Sequence, residues 1–360
     1  MVDVFPDYYG HFRCLAGACP DTCCQDWQIE LDEPTLSRYR TVPGALGKTI
    51  RENLITEDGQ TRFRLTDGHC ALLTEDGLCA VQLACGEEGL CQTCRAHPRF
   101  IEEYGDVREL SLSVSCPACA ALLLQREKPI LFLRCKSRSD EASYRLHSRA
   151  YPLLRSARAA AIRLAQDRRF SLSERLALIL CLAQREQELL DAGKYETGRR
   201  LLSLFSQKQW LLDRLSVQRR RGRRPGAFFP CWMILNNMEH LTDRFPAMLS
   251  RVFLAPETPF SNAAFSAQFE NLLVYFLFRY FLKAVNDGQL SCRVQSCVFH
   301  LLCLSRICAA EKAETPEALG AIVSLYSREV EHSEENLRLL NRVFQKGTLD
   351  DAYLLSLLDL

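Results

Sequence analysis

Apolar positions along the chain change their rhythm near residue 118. Before that point the apolar runs are short, and turn pairs break them at Asp58-Gly59, Asp67-Gly68, Asp76-Gly77 and Gly105-Asp106. Phe63-Arg64-Leu65 and the stretch Val107 to Val114 alternate apolar with polar, which predicts short strands. Glu33-Pro34 opens a predicted helix with Leu36 and Tyr39 on one side. From Ala118 onward apolar residues recur three and four apart. Helices are predicted over Glu141 to Asp167, Ser173 to Ala192, Tyr195 to Leu215 and Phe265 to Asn286. Three more are predicted over Arg293 to Lys312, Pro316 to Glu331 and Ser333 to Phe344. Ser171 and Ser333 are placed to cap helix starts, and Gly193 and Gly288 to end helices. No fixed-period repeat supports a solenoid. The expected architecture is mainly α: a small irregular cysteine-rich domain over residues 1–120, then an α-helical body over residues 121–360.

Charge adds little to this picture. Lys plus Arg number 45 against 44 Asp plus Glu, so no global field steers the chain toward nucleic acid or an anionic membrane. The run Arg219 to Arg224, followed by Pro225-Gly226, reads as a solvated loop between helices; it has no aromatic interleaving, which argues against nucleic acid. The first residues have neither a basic nor an apolar leader segment, and the richest apolar run, Leu272 to Leu282, is interrupted by Arg279. A cytoplasmic protein without membrane insertion is expected.

Sulfur changes the picture most. Eleven of the 18 cysteines fall in the first third: Cys14, Cys19, Cys23, Cys24, Cys70, Cys79, Cys85, Cys91, Cys94, Cys116 and Cys119. In a reducing compartment such clustering points to metal or redox chemistry rather than to disulfides, and weak local structure needs a cross-link. Thiolates select zinc, copper(I) or iron–sulfur clusters. Cys91 and Cys94 form a C-x2-C unit and Cys19 and Cys23 a C-x3-C, while the adjacent pair Cys23-Cys24 is awkward for a zinc knuckle. Scattered thiolates suit an iron–sulfur cluster better. The C-x3-C-x2-C signature of radical S-adenosylmethionine enzymes fails, because Asp26 stands where its third cysteine belongs. Gly44-Ala45-Leu46-Gly47 is not a dinucleotide-binding loop, and no nucleophile elbow is present. Cys135, Cys181, Cys231, Cys292, Cys297, Cys303 and Cys308 are expected to pack as small hydrophobes. His97 and Arg95 sit beside the sulfur and could tune a site there; His332 reads as structural.

Cys19-Pro20-Asp21-Thr22-Cys23-Cys24-Gln25-Asp26-Trp27 closely resembles the opening motif of the bacterial flagellin lysine-N-methylase family. The likeness continues through Cys70 to Leu73, Glu75 to Cys79, Leu90 to Arg99 and Ser111 to Pro117. In the body, Phe269 to Leu272 through Arg279 to Phe281, and Glu331 to Asn336, are also similar, so it covers most of the chain. The resemblance implies methyl transfer from S-adenosylmethionine to lysine side chains of flagellin, with a 4Fe-4S cluster in the head. It implies a ligand pool of Cys19, Cys23, Cys24, Cys70, Cys79, Cys91, Cys94 and Cys116, with Cys19, Cys23, Cys94 and Cys116 preferred and Cys85 and Cys119 extra. A lysine ammonium must lose its proton before it attacks a methyl donor. Tyr8, Tyr9, Asp21 and His97 are the polar candidates for that work, with Glu102 or Glu103 behind them, and Arg95 and Trp27 are candidates for holding the donor. Polar displacement and a radical route both remain open at this level. Two other readings compete: a non-catalytic metal-stapled interaction module, and an iron–sulfur redox or sensor protein.

Overall fold

The computed structural model describes residues 1–25, 27, 29–137, 146–218, 228–256 and 265–358. The arginine run at 219–224 with Pro225-Gly226, Asp26 and the expected helix start at Glu141 lie outside the described residues.

The Asp-Gly pairs do what their chemistry predicts. Asp58 and Gly59 both take positive φ and close a two-residue hairpin between strands that pair Glu57 with Gln60. In chain order the strands are β1 (Val2–Pro6), β2 (Leu54–Glu57), β3 (Gln60–Phe63), β4 (Leu65–Thr66), β5 (His69–Cys70), β6 (Arg99–Tyr104), β7 (Val107–Leu112) and β8 (Phe132–Lys136). Four of them form one sheet in the order β6-β7-β1-β8. There β1 runs parallel to β7 and antiparallel to β8. The head is therefore less irregular than its local pattern suggests. A five-residue strand ending in Pro6 carries a weak local signal, and both its partners lie more than a hundred residues away.

The helices are α1 (Glu33–Thr41), α2 (Gly44–Glu52), α3 (Ala80–Cys85), α4 (Gln92–Ala96), α5 (Pro117–Leu124), α6 (Tyr151–Ala165), α7 (Leu172–Asp191), α8 (Tyr195–Leu201) and α9 (Lys208–Gln218). They continue with α10 (Phe229–Asn236), α11 (Arg244–Leu254), α12 (Ser266–Tyr280), α13 (Ala284–Asp287), α14 (Leu290–Ala310), α15 (Pro316–Glu331), α16 (Glu334–Gln345) and α17 (Asp351–Ser356). The molecule is mainly helical. Ser171 and Glu174 form a full capping box on α7, Ser333 caps α16, and Gly288 ends α13 in a left-handed turn. The helix expected from Tyr195 to Leu215 is broken. Ser203 and Ser206 bond back to the carbonyls of Arg200 and Ser203, tightening residues 202–206 into a 3₁₀ turn before α9 begins.

Two hydrophobic clusters form. The large one runs through α5 to α17 and takes in Tyr8, Tyr104 and Leu112 from the sheet region. A small one gathers Ile29, Leu31, Leu36, Tyr39, Ile50, Phe63, Leu72, Val81 and Cys91. α14 alone among the described helices is long and apolar enough to cross a membrane, but 83% of its apolar window is buried inside the protein. Cys231, Cys292, Cys297, Cys303 and Cys308 are buried as expected of small hydrophobes, whereas Cys181 is half-buried. Cys135 departs from that expectation: it lies exposed on β8, an edge strand.

Candidate functional site

Sulfur lines one cavity of about 390 Å³ between the two clusters. Cys14, Cys19, Cys23, Cys24, Cys70, Cys79, Cys91, Cys94 and Cys116 all stand at its wall. Cys85 lies exposed at the end of α3, and Cys119 is buried behind Cys116, so neither is among the lining residues. Local structure aims these thiols. Cys79, Cys91 and Cys116 occupy the cap positions of α3, α4 and α5, where the chain turns from extended into helix. Asp32 caps α1 and also accepts the Gln92 N–H at 2.9 Å, tying the α4 turn to α1. The Gln92 and Thr35 donors hold its carboxyl down at about 2.

Three pairs of thiols touch: Cys23 with Cys24, Cys91 with Cys94, and Cys116 with Cys119. In each pair one sulfur accepts from the other and becomes the easier to ionise. The Cys23 thiol brings Cys24 down to about 7, and the Cys94 thiol, aided by the Cys94 N–H, brings Cys91 down to about 7. Cys119, with His97 as the second donor, holds Cys116 at about 4. Burial, with the neighbouring Cys24, Cys79 and Cys91 thiols adding to it, pushes Cys70 up to about 11. Among the described residues, no three His, Cys, Asp or Glu groups meet closely enough to hold a single metal ion. The donors ring a volume instead of converging on a point.

The remaining candidates divide. Asp21, Trp27, Arg95 and His97 line the cavity; Tyr8 and Tyr9 are not among the lining residues. Tyr8 is buried in the large cluster, and burial raises both phenols. Glu102 pairs with Lys283 at 3.3 Å. Trp27 donates its indole N–H to the Cys23 carbonyl and meets His97 and His332 edge-on, with ring centres 5.2 Å and 4.9 Å away.

The helical body supplies part of the wall, which the head's sequence alone did not signal. Arg328 on α15 lines the cavity and donates to Asp21 Oδ1 at 3.1 Å, the Asp21 carbonyl at 3.1 Å and the Thr22 carbonyl at 3.4 Å. Arg244 and Gln25 also donate to Asp21 Oδ1. One turn on, His332 Nε2 lies 2.7 Å from Ser115 Oγ and 3.1 Å from Ser113 Oγ. Burial lowers its pKa to about 4, so the ring is neutral at neutral pH. Behind it Glu331, fully buried, accepts from Tyr280 at 2.6 Å, Ser327 at 2.7 Å and Tyr275 at 3.1 Å, with Arg279 Nε at 3.5 Å. Asn271 on α12 donates to the carbonyls of Leu123 and Arg126, which fixes the far end of α5 and with it Cys116. Of the body residues that resemble the methylase family, Asn271 and His332 fasten the body to the segment from Ser113 to Arg126 that carries Cys116, while Arg328 and Arg244, which hold the thiol loop, lie outside those stretches.

This is a thiol-lined cavity roofed by a helical body, and the body can be compared by sequence. Residues 158–357 match the model of the FliB lysine N-methylase C-terminal domain. The chain belongs to that family. It is 34% identical over 126 residues to the flagellar biosynthetic protein FliU of Salmonella muenchen, a match covering 33% of this chain and 75% of that protein. It is 32% identical over 126 residues to the lysine-N-methylases of Salmonella choleraesuis (strain SC-B67) and Salmonella typhimurium (strain LT2), in each case across 33% of this chain and 31% of the relative. The match therefore spans about a third of those two methylases. No solved structure matches the chain.

Proposed function

We propose that the protein is a lysine methylase acting on flagellin or a similar flagellar protein, with S-adenosylmethionine as donor and an iron–sulfur cluster, 4Fe-4S in type, held by the cavity thiols. The observation that carries this reading is Arg328. It belongs to the family-matched body and reaches across the cavity to Asp21 in the thiol loop, so body and sulfur face one space. Nine thiols spread around a cavity of about 390 Å³ suit a multi-iron cluster better than a lone tetrahedral ion, whose ligands must all come within about 2.3 Å of one point. When bound, the cluster supplies a charged, redox-capable centre beside the donor.

The chain's own residues do the rest. Arg95 and Trp27 offer a cation for the donor's carboxylate and a ring face for its adenine. Asp21 is held by Arg328, Arg244 and Gln25, which makes it a fastening point rather than a base. His97 stands at the wall beside Cys116 and the rings of Trp27 and His332, and is the group we assign to take the lysine proton. The cavity's apolar wall, with Leu15, Ile29, Leu72 and Leu78, favours the uncharged amine. Anaerobically purified chain, incubated with S-adenosylmethionine and unmodified flagellin, should place methyl groups on lysines that peptide mass spectrometry maps. His97→Gln should keep its metal and lose at least about a hundredfold in rate, the usual scale for a lost acid–base group. Unmethylated flagellin after incubation with metal-loaded protein would overturn the reading.

A further inference from the structure

Among the described residues four arginines line the cavity, and three of them are already engaged. Arg328 is committed to Asp21 and to the Asp21 and Thr22 carbonyls. Arg13 is exposed and donates to the carbonyls of Gly10 at 3.2 Å and Phe12 at 2.7 Å. Arg95 is exposed too and pairs with Glu88 at 3.1 Å, so water and a carboxylate both screen its charge. Arg99 differs from all three. It is half-buried, its Cζ lies over the Phe12 ring at 5.2 Å from the centre, and the Tyr9 phenol stands beside it. Among the described residues it forms no ion pair.

The backbone fixes where this group stands. Pro98 is buried and its carbonyl accepts the Ser113 N–H at 2.7 Å, and Arg99 opens β6 opposite Leu112 on β7. The platform is fixed as well, because the Phe12 ring packs against the large hydrophobic cluster. A guanidinium held over a ring keeps its outer N–H groups for an acceptor, and their fork matches a carboxylate. The cavity, at about 390 Å³, has the size of a site for one small ligand, and a folded segment of a protein substrate does not fit inside it. We infer that Arg99 is the anchor for the carboxylate of S-adenosylmethionine and the residue that discriminates this donor from analogues without one. This rests on the reading that the cavity takes that donor, and adds which of its arginines recognises it. The competing role is counter-charge for the neighbouring sulfur, since Arg99 lies within charge-interaction range of Cys119.

The test uses the full chain, purified without oxygen and loaded with iron and sulfide, and isothermal titration calorimetry with two ligands that undergo no transfer. One is S-adenosylhomocysteine, which keeps the carboxylate; the other is its decarboxylated analogue, S-adenosyl-3-thiopropylamine. The unmutated chain should prefer the first by about ten- to a hundredfold, the scale of a charge-assisted contact. Arg99→Met, which keeps an apolar stem over the Phe12 ring, should bring the two ligands to near parity by weakening S-adenosylhomocysteine alone, with iron content unchanged. Arg99→Lys should restore part of the preference, and Arg95→Met should keep it. Parity in Arg95→Met with full preference in Arg99→Met would overturn the assignment. Loss of iron from both Arg99 variants would overturn it too, and would make Arg99 a counter-charge for the thiols. If only Arg99→Met loses iron, Arg99→Lys decides: a preference undiminished from that of the unmutated chain overturns the assignment. A raised KM for flagellin in Arg99→Met with the ligand preference intact would assign the carboxylate to the protein substrate and overturn the donor anchor. An unmutated chain that binds both ligands equally would overturn the anchor while leaving the donor reading intact, whereas one that binds neither would defeat the donor reading itself.

Discussion

At the scale of single residues, the body's buried polar groups decide most of what can be tested. Arg328 and Asp21 form a pair with side chains only 7% and 11% exposed, and Arg328 also serves two backbone carbonyls of the thiol loop. Removing one partner of a buried pair leaves the other uncompensated, typically at about 3–5 kcal/mol. Arg328→Ala should therefore loosen residues 19–25, seen as faster amide exchange there, while the large core keeps its protection. Arg328→Lys should rescue little, because an ammonium cannot reproduce the guanidinium's several fixed donors. Glu186 makes a different point. It is buried, with no hydrogen-bond partner on either oxygen, and burial raises its pKa from about 4.5 to about 7. The native state then holds the proton more tightly than the unfolded chain. The stability this gives is complete below about pH 4.5 and fades as pH rises through about 7. The shift corresponds to roughly 3 kcal/mol. Glu186→Gln should flatten the profile and raise the melting temperature above pH 7; an unchanged slope in thermal melts between pH 5 and 8 would contradict the assignment. None of this was visible in the sequence, where Glu186 is one charge among many in a helical stretch and His332 is a polar helix end. Their burial depends on which other helices arrive.

At the scale of elements, what could be read was what local chemistry enforces. The caps at Ser171 and Ser333, the Asp58-Gly59 hairpin and the bounds of α15 were legible because each is decided within a few residues. The four-stranded sheet was not, since β1 joins β7 and β8 across more than a hundred residues. Gly47 marks a case between these. Gly44-Ala45-Leu46-Gly47 forms the first turn of α2, and the role of Gly47 appears only in three dimensions. A Cβ there would stand 1.8 Å from the Val42 carbonyl oxygen, where α1 turns into α2. Backbone cannot yield as a side-chain tip can. Gly47→Ala should destabilise the small core by about 1–3 kcal/mol or more, the scale of overpacking. Differential scanning calorimetry should show that loss, whereas Gly10→Ala, with open space around it, should leave the curve unchanged.

At the scale of the molecule, the sulfur pattern drew attention to segments that the fold brings to one cavity. All eight cysteines expected as ligands reach one cavity, and the sequence could place them no further because spacing says nothing about which segments face each other. The body's share was hidden for the same reason. Arg328 and His332 sit more than 200 residues from the loops they touch. The fold joins the family-matched body to the thiol head through those contacts, and the central claim is that the two form a single working site. The direct measurement is transfer of isotope-labelled methyl from S-adenosylmethionine to flagellin lysines by the metal-loaded chain and by its Arg328→Ala variant, with iron content determined on the same samples. The account predicts that the variant retains its iron yet loses most of its transfer. Full transfer by a variant whose grip on Asp21 is gone would show that head and body work apart, and would contradict it.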